Sequence, residues 1–218
     1  MNWLRVLGLT LVLALAVPAR AQAPGEPGKF DFYVLALSWS PSFCETSGDK
    51  RNAEEQCRRG RPFSFVVHGL WPQHERGFPK NCVHPAPRIP EPLIRSMLDL
   101  MPAFGLVIHE WRTHGTCSGL EPEKYFETVR RARERVVIPE RFGRLADYTM
   151  VSAGEVEEAF LAANQGLKAD MIAVTCDNRH LREVRICMSR DLAFRSCPEI
   201  DRRACRTPRV VMPPVRGG

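Results

Sequence analysis

The sequence predicts one disulfide-bonded domain of mixed helix and sheet, and three observations carry that prediction. Runs of branched and aromatic residues alternate with helical runs, 218 residues suffice for a sizeable single core, and the chain contains eight cysteines. In chain order, residues 31–39 and 62–67 read as strands, 91–101, 107–114, 122–136 and 152–163 as helices, and 171–176, 181–188 and 209–212 as strands. The helix at 152–163 opens with a capping box, Ser152 and Glu155, and Gly166 marks its end. The proline-rich stretch 79–92 reads as a long surface loop, suited to wall a cleft. No internal repeat or low-complexity linker occurs. Pattern alone leaves the sheet direction open, because strands separated by helices suit a parallel sheet as well as an antiparallel one.

The N-terminus reads as an export signal. MNWLR is positively charged, residues 6–17 are an apolar run too short for an ordinary transmembrane helix, and Ala19-Arg20-Ala21 offers small residues for cleavage. Cleavage after Ala21 is preferred, since cleavage after Ala23 would set Pro24 beside the cut. The expected division is a signal peptide at 1–21 and one catalytic domain at 22–218, free of the membrane after cleavage. Eight cysteines without any CxxC pair fit disulfides in an oxidising compartment, periplasmic or extracellular, better than metal binding. Spacing alone leaves all 105 pairings open. Loss of residues 1–21 removes Arg5 and Arg20 and no acid, lowering the formal charge from +6 to +4. A mildly basic surface attracts phosphates and equally serves solubility.

Two segments carry the chemistry: HGLWPQ at 68–73 and HEWRTHGTC at 109–117. Three of the six histidines lie in them. Metal-free RNA cleavage needs a base for the ribose 2'-hydroxyl, an acid for the departing 5'-oxygen, and support for the crowded phosphorus. Imidazole suits both proton-transfer roles, because its ordinary pKa of about 6.5 allows either protonation state near neutrality. His68 follows the apolar run FSFVV and is placed at a strand end; Glu110 and His114, four residues apart on a helix stopped by Gly115, share a face. The second segment also resembles the zinc signature HExxH, but its histidines are five apart and stand roughly 140° apart on a helix, so a zinc hydrolase is disfavoured.

Together the segments resemble the signature blocks of the ribonuclease T2 family, particularly its bacterial periplasmic, ribonuclease I-like members. DFYVLALSWSPSFC (31–44), EPEKYFETV (121–129), IPERF (138–142) and EVRICMS (183–189) extend the resemblance along nearly the whole chain after the signal. The resemblance implies an α+β fold, with a central antiparallel sheet and helices packed against it. It implies an endoribonuclease of low base specificity acting on single-stranded RNA without cofactor or metal, as a monomer, through a 2',3'-cyclic phosphate to 3'-phosphate ends. His68 matches the acid for the leaving 5'-oxygen and His114 the base on the 2'-hydroxyl. His109 matches the phosphate-binding histidine, and Glu110 the acidic partner that helps stabilise the pentacoordinate phosphorus. Trp71 matches a residue of the nucleobase pocket, and Gln73 is a candidate for reading a base edge. The family pattern also implies disulfides Cys82–Cys117, Cys176–Cys205, Cys187–Cys197 and Cys44–Cys57. In one respect the chain departs from the family: Thr113 stands where a lysine commonly precedes the second-block histidine. Arg112 is no simple substitute, since it points about 100° away on a helix.

Each residue also has a plainer reading. His68 could bond a loop, Trp71 could pack, and Gln73 could finish the turn after Pro72; His74, His84 and His180 belong to no such constellation. RARER at 131–135 reads as the solvated face of a helix sooner than as a phosphate patch, given Phe126, Val129 and Val136 on its other side. The non-enzyme alternative is an exported RNA-binding or toxin-like protein with reduced catalysis, for which Thr113 is the sequence hint.

Overall fold

The strand β1, Phe32–Trp39, reads FYVLALSW, apolar on both sides of the pleat, and such a strand requires cover on both faces. The computed structural model, which describes residues 25–47, 54–58 and 60–215, places it inside a four-stranded sheet. β1 pairs with β2 (Phe65–Gln73) on one side and β5 (Leu181–Met188) on the other, and β5 pairs with β4 (Ile172–Cys176). Every ladder is antiparallel, so the α+β expectation holds over the parallel alternative. Strands β3 (Thr149–Val151) and β6 (Val210–Met212) form a separate antiparallel pair. The expected signal peptide at 1–21 lies outside the described residues.

Register sorts the side chains onto two faces. Leu35, Leu37, Val67, Leu70, Val184 and Ile186 turn towards the main core. There they meet helices α4 (Phe104–Thr113), α5 (Pro122–Glu134), α6 (Glu140–Gly143) and α7 (Ala153–Ala163), through Trp111, Phe126, Phe142 and Phe160. Full burial of each such side chain contributes roughly 1.5–3 kcal/mol. On the opposite face Phe32, Val34, Ala173 and Cys187 pack with Ile200 of α8 (Pro198–Asp201), and Trp71, partly buried, packs against them. Three short helices complete the set: α1 (Ser40–Ser47), α2 (Glu54–Cys57) and α3 (Glu91–Ser96).

Several boundaries differ from those the pattern predicts. β2 runs six residues past Val67, because β1 supplies partners as far as Phe32 opposite Gln73; Pro72 is tolerated because β2 is an edge strand. His68 therefore lies inside a strand and not at its end. α3 stops at Ser96, and residues 97–101 continue as turns that present Leu100 O to Val67 N at 2.9 Å, ahead of Pro102. α4 begins at Phe104 and leaves His114 as its C-cap, with a 3-10 turn, Gly115–Ser118, where a glycine stop was expected. The Ser152–Glu155 capping box forms as read from sequence, and α5 buries Phe126 and Val129 while Arg131 and Glu134 face solvent. All four implied disulfides are present. Among the described residues, no helix is long and apolar enough to cross a membrane.

Candidate active site

His68 occupies an irregularity in the β1–β2 ladder. Ala36 pairs with Gly69 and Leu37 with Val67, so His68 is the extra residue of a β-bulge. In a regular strand residues three apart face opposite sides. Here the bulge resets the alternation, and the rings of His68 and Trp71 come within 5.3 Å of each other, edge to face, on the side away from the main core. Tyr125 OH, donating to Leu70 O at 2.9 Å, holds this stretch of strand from the core side.

The second segment approaches the bulge along α4. Glu110 is 1% exposed, and its Oε2 accepts from Trp71 Nε1 at 2.7 Å while Oε1 lies 3.6 Å from His68 Nε2. This close approach needs Gly69: a Cβ there would collide with Glu110 Oε2 and Trp71 Nε1. His114 sits at the helix end, its ring 5.4 Å from that of Trp71. Both imidazoles thus border one indole. Cys82–Cys117, with Cα atoms 4.9 Å apart, ties the loop after the first segment to the end of the second. Trp111 Nε1 donates to Pro87 O at 2.8 Å, which fastens the proline-rich loop against α4.

Although Glu110 and His114 share a helical face, the carboxylate is directed at His68 and Trp71. Burial pushes the Glu110 carboxyl up to about 7, against the pull of the His68 charge and the Trp71 hydrogen bond. Burial likewise pushes His114 down to about 3, assisted by the charges of His68 and His109, so its imidazole is neutral near pH 7. Its Nδ1 is buried with no hydrogen-bond partner among the described residues. For His68 burial alone would lower the pKa, but the hydrogen bond and charge of Glu183, followed by the charge of Glu110, raise it on balance. The environment drives the two imidazoles towards opposite protonation states.

Glu183 is the main residue that sequence reasoning missed. Its Oε1 lies 2.5 Å from His68 Nδ1, and Ser38 Oγ donates to the same oxygen at 3.5 Å. Arg185 donates to Oε2 through Nε at 2.9 Å and Nη2 at 2.7 Å, and its guanidinium lies over Trp71 at 5.2 Å. Burial would raise the Glu183 carboxyl, but His68 and Arg185 bring it down to about 2. The available signal was the pair of opposite charges at 183 and 185, two apart in a strand and therefore on one face. Phe78 is a second omission: 43% exposed, it lies 6.2 Å from the ring of His114.

The remaining predicted residues divide. His109 is exposed on α4 and lines a cavity of about 370 Å³ together with His68, Ser38, Val66, Leu106 and Glu183. Gln73 is not brought to the cluster: it is buried, and its Nε2 donates to Pro72 O at 3.0 Å. Arg112 lines a separate groove with Pro87, Ile108 and Trp111. His180 is buried near Glu45 and Asp177, in a structural position. Among the described residues, no three of His, Cys, Asp and Glu are grouped so as to hold a metal ion.

An antiparallel sheet that presents His68 and Trp71 to the Glu110 and His114 of a neighbouring helix is a fold and site matched by one family along most of the chain. The profile of the Ribonuclease T2 family matches residues 30–197, and the chain belongs to that family. It is 34% identical over 196 residues to a ribonuclease of Aeromonas hydrophila, covering 85% of this chain and 84% of that protein. To ribonuclease I of Escherichia coli K12 it is 27% identical over 232 residues, covering 85% of each. Trichomaglin, described as an S-like ribonuclease, superposes with a TM-score of 0.69 at 19% identity, covering 86% of this chain and 99% of that one. RNase NT, solved in complex with 5'-AMP, superposes with a TM-score of 0.60 at 22% identity, covering 85% and 99%. At these identities the structural likeness establishes the fold.

Proposed function

We propose that the protein is an exported endoribonuclease that cleaves single-stranded RNA with low base specificity by acid–base transfer between His114 and His68. The observation that carries this reading is the opposite bias of the two imidazoles beside one indole: the surroundings favour the neutral form of His114 and shift His68 towards its protonated form. Neutral His114 takes the proton of the ribose 2'-hydroxyl as the 2'-oxygen attacks phosphorus. Cationic His68 gives a proton to the departing 5'-oxygen, which leaves a 2',3'-cyclic phosphate. In the second step the roles exchange: His68 takes a proton from water, His114 protonates the 2'-oxygen, and a 3'-phosphate results. His109 and Glu110 act at the phosphate between them. Trp71 and the cavity beside His68, about 370 Å³ in volume, suit a nucleotide-sized group. A solved relative, RNase NT, holds 5'-AMP. Residues 1–21 act as the export signal, in keeping with four disulfides in the folded domain. The working form is a monomer.

Incubation of the purified protein with RNA in EDTA tests this reading. Cleavage that persists and leaves cyclic-phosphate ends is the expected result. RNA retained without cleavage would favour an exported RNA-binding protein, and cleavage abolished by EDTA would favour a metal-dependent hydrolase. His68→Ala and His114→Ala should each abolish activity while the circular dichroism of the fold is unchanged.

A further inference from the structure

Strand β5 contributes a third component to the site, beyond the two histidine segments. His68 is held between two carboxylates, with Nδ1 2.5 Å from Glu183 and Nε2 3.6 Å from Glu110. The two contacts differ in kind. Glu183 has one oxygen on the imidazole and the other clamped by two N–H groups of Arg185, whereas Glu110 spends its second oxygen on Trp71.

We propose that Glu183 is the positioning residue that retains the Nδ1 proton of His68, so that Nε2 alone exchanges protons with RNA and water, and that Arg185 holds Glu183 ionised for this task. The inference deepens the proposed nuclease reading and rests on it. In cationic His68 both ring nitrogens carry protons. Nδ1–H donates to Glu183, and Nε2–H is the one free to pass to the 5'-oxygen as its bond to phosphorus breaks. The neutral imidazole that remains keeps its proton on Nδ1 and exposes a lone pair on Nε2, ready to take a proton from the attacking water. No tautomer change is needed between the steps. A carboxylate that orients an imidazole and stabilises its cation without accepting the proton has the same physical role wherever two-step acid–base catalysis depends on one ring nitrogen. The low carboxyl pKa of Glu183, about 2, agrees with a group that does not take the proton itself.

The charges around His68 come from both packed elements. Glu110, His109 and His114 belong to the α4 region, and Glu183, Arg182 and Arg185 to β5, with Ser38 of β1 as a neutral donor. Arg182 donates to Thr46 and lies 3.5 Å from Asp177, so its charge is partnered away from the imidazole. Glu183 is the carboxylate in direct contact with Nδ1.

The test combines NMR titration of the His68 ring with steady-state kinetics on a dinucleoside phosphate. Glu183→Gln keeps an oxygen near Nδ1 but removes the charge. It should move the His68 titration midpoint down, shift the alkaline limb of the rate profile to lower pH, and lower kcat at least about tenfold, with KM changed less than about twofold. Glu183→Asp restores the charge and withdraws it by one methylene. It should return the titration towards wild type and recover part of kcat, and it serves as the reading variant if the glutamine form does not fold. An unmoved His68 titration in Glu183→Gln overturns the proposal, even if kcat falls, because the residue would then act on stability or binding. Full kcat in Glu183→Asp together with full kcat in Glu183→Gln also overturns it. Failure of the nuclease reading is separately visible: His68→Ala would retain wild-type cleavage, while the titration still reports whether Glu183 governs the imidazole.

Discussion

Trp71 Nε1 donates to Glu110 Oε2 at 2.7 Å, a bond that joins the two histidine segments across 39 residues of chain. Its loss would leave a buried carboxylate without its donor, which costs about 1–3 kcal/mol. Trp71→Phe should lower stability by that order in urea unfolding. It should also raise the titration midpoint of Glu110 further, because the indole hydrogen bond is one of the two influences that hold it down.

Glu110 also predicts a pH dependence of stability. Its folded pKa, about 7, exceeds its ordinary value of 4.5, so between those limits the folded protein binds more protons than the unfolded chain. Stability contributed by the neutral carboxyl is complete below about pH 4.5 and is lost as pH rises through 7. Glu110→Gln should flatten this part of the unfolding-against-pH curve; an unchanged slope would show that another group causes it.

His114 acts in the acid range. Its folded pKa of about 3 lies below the ordinary 6.5, so the unfolded chain binds the extra proton and stability falls as pH drops from 6.5 to 3. His114→Phe should lose activity yet resist acid unfolding better than wild type at pH 4, measured as a higher denaturation midpoint.

Gly69 is irreplaceable for a local reason. A methyl group there would strike Glu110 Oε2 and Trp71 Nε1, and overpacking of this kind costs about 1–3 kcal/mol. Gly69→Ala should reduce turnover more than stability accounts for, because the carboxylate must withdraw from His68; wild-type kcat in a folded Gly69→Ala protein would refute the packing argument.

Thr113 leaves the C-terminal turn of α4 without the lysine common in the family. Thr113→Lys should raise kcat by up to about a hundredfold if an electrostatic contact at phosphorus is otherwise missing. An unchanged kcat would indicate that the charge is supplied elsewhere.

The two histidine segments, the four cystine pairs and the solvated arginine face of α5 were legible because each depends on local spacing or on family pattern. The joint placement of His68 and Trp71 was not, since a bulge is set by how β2 pairs with β1, and Gly69 alone in HGLWPQ marks a bulge or close approach without fixing which residue is the extra one. The placement of Gln73 was hidden for a related reason: the extra length of β2 carries it to a buried position. Glu183 was missed because it reaches His68 across 115 residues, through pairing of β5 with β1, and neither strand's own sequence specifies that neighbour. Helical spacing sets Glu110 and His114 on one face, but the bulged strand delivers a different imidazole to the carboxylate.

The ladder skips one peptide at residue 68, and this makes the site depend on a count as well as on chemistry. Deletion of Val67 would leave His68, Trp71, Glu110, His114 and Glu183 all in the chain and every cysteine able to pair. His68 and Trp71 would still be three residues apart, but in an unbroken alternation they would face opposite sides of the sheet. A single-codon loss outside the catalytic set would thus disassemble the site while keeping all its parts, so in this strand chain length itself is a functional character.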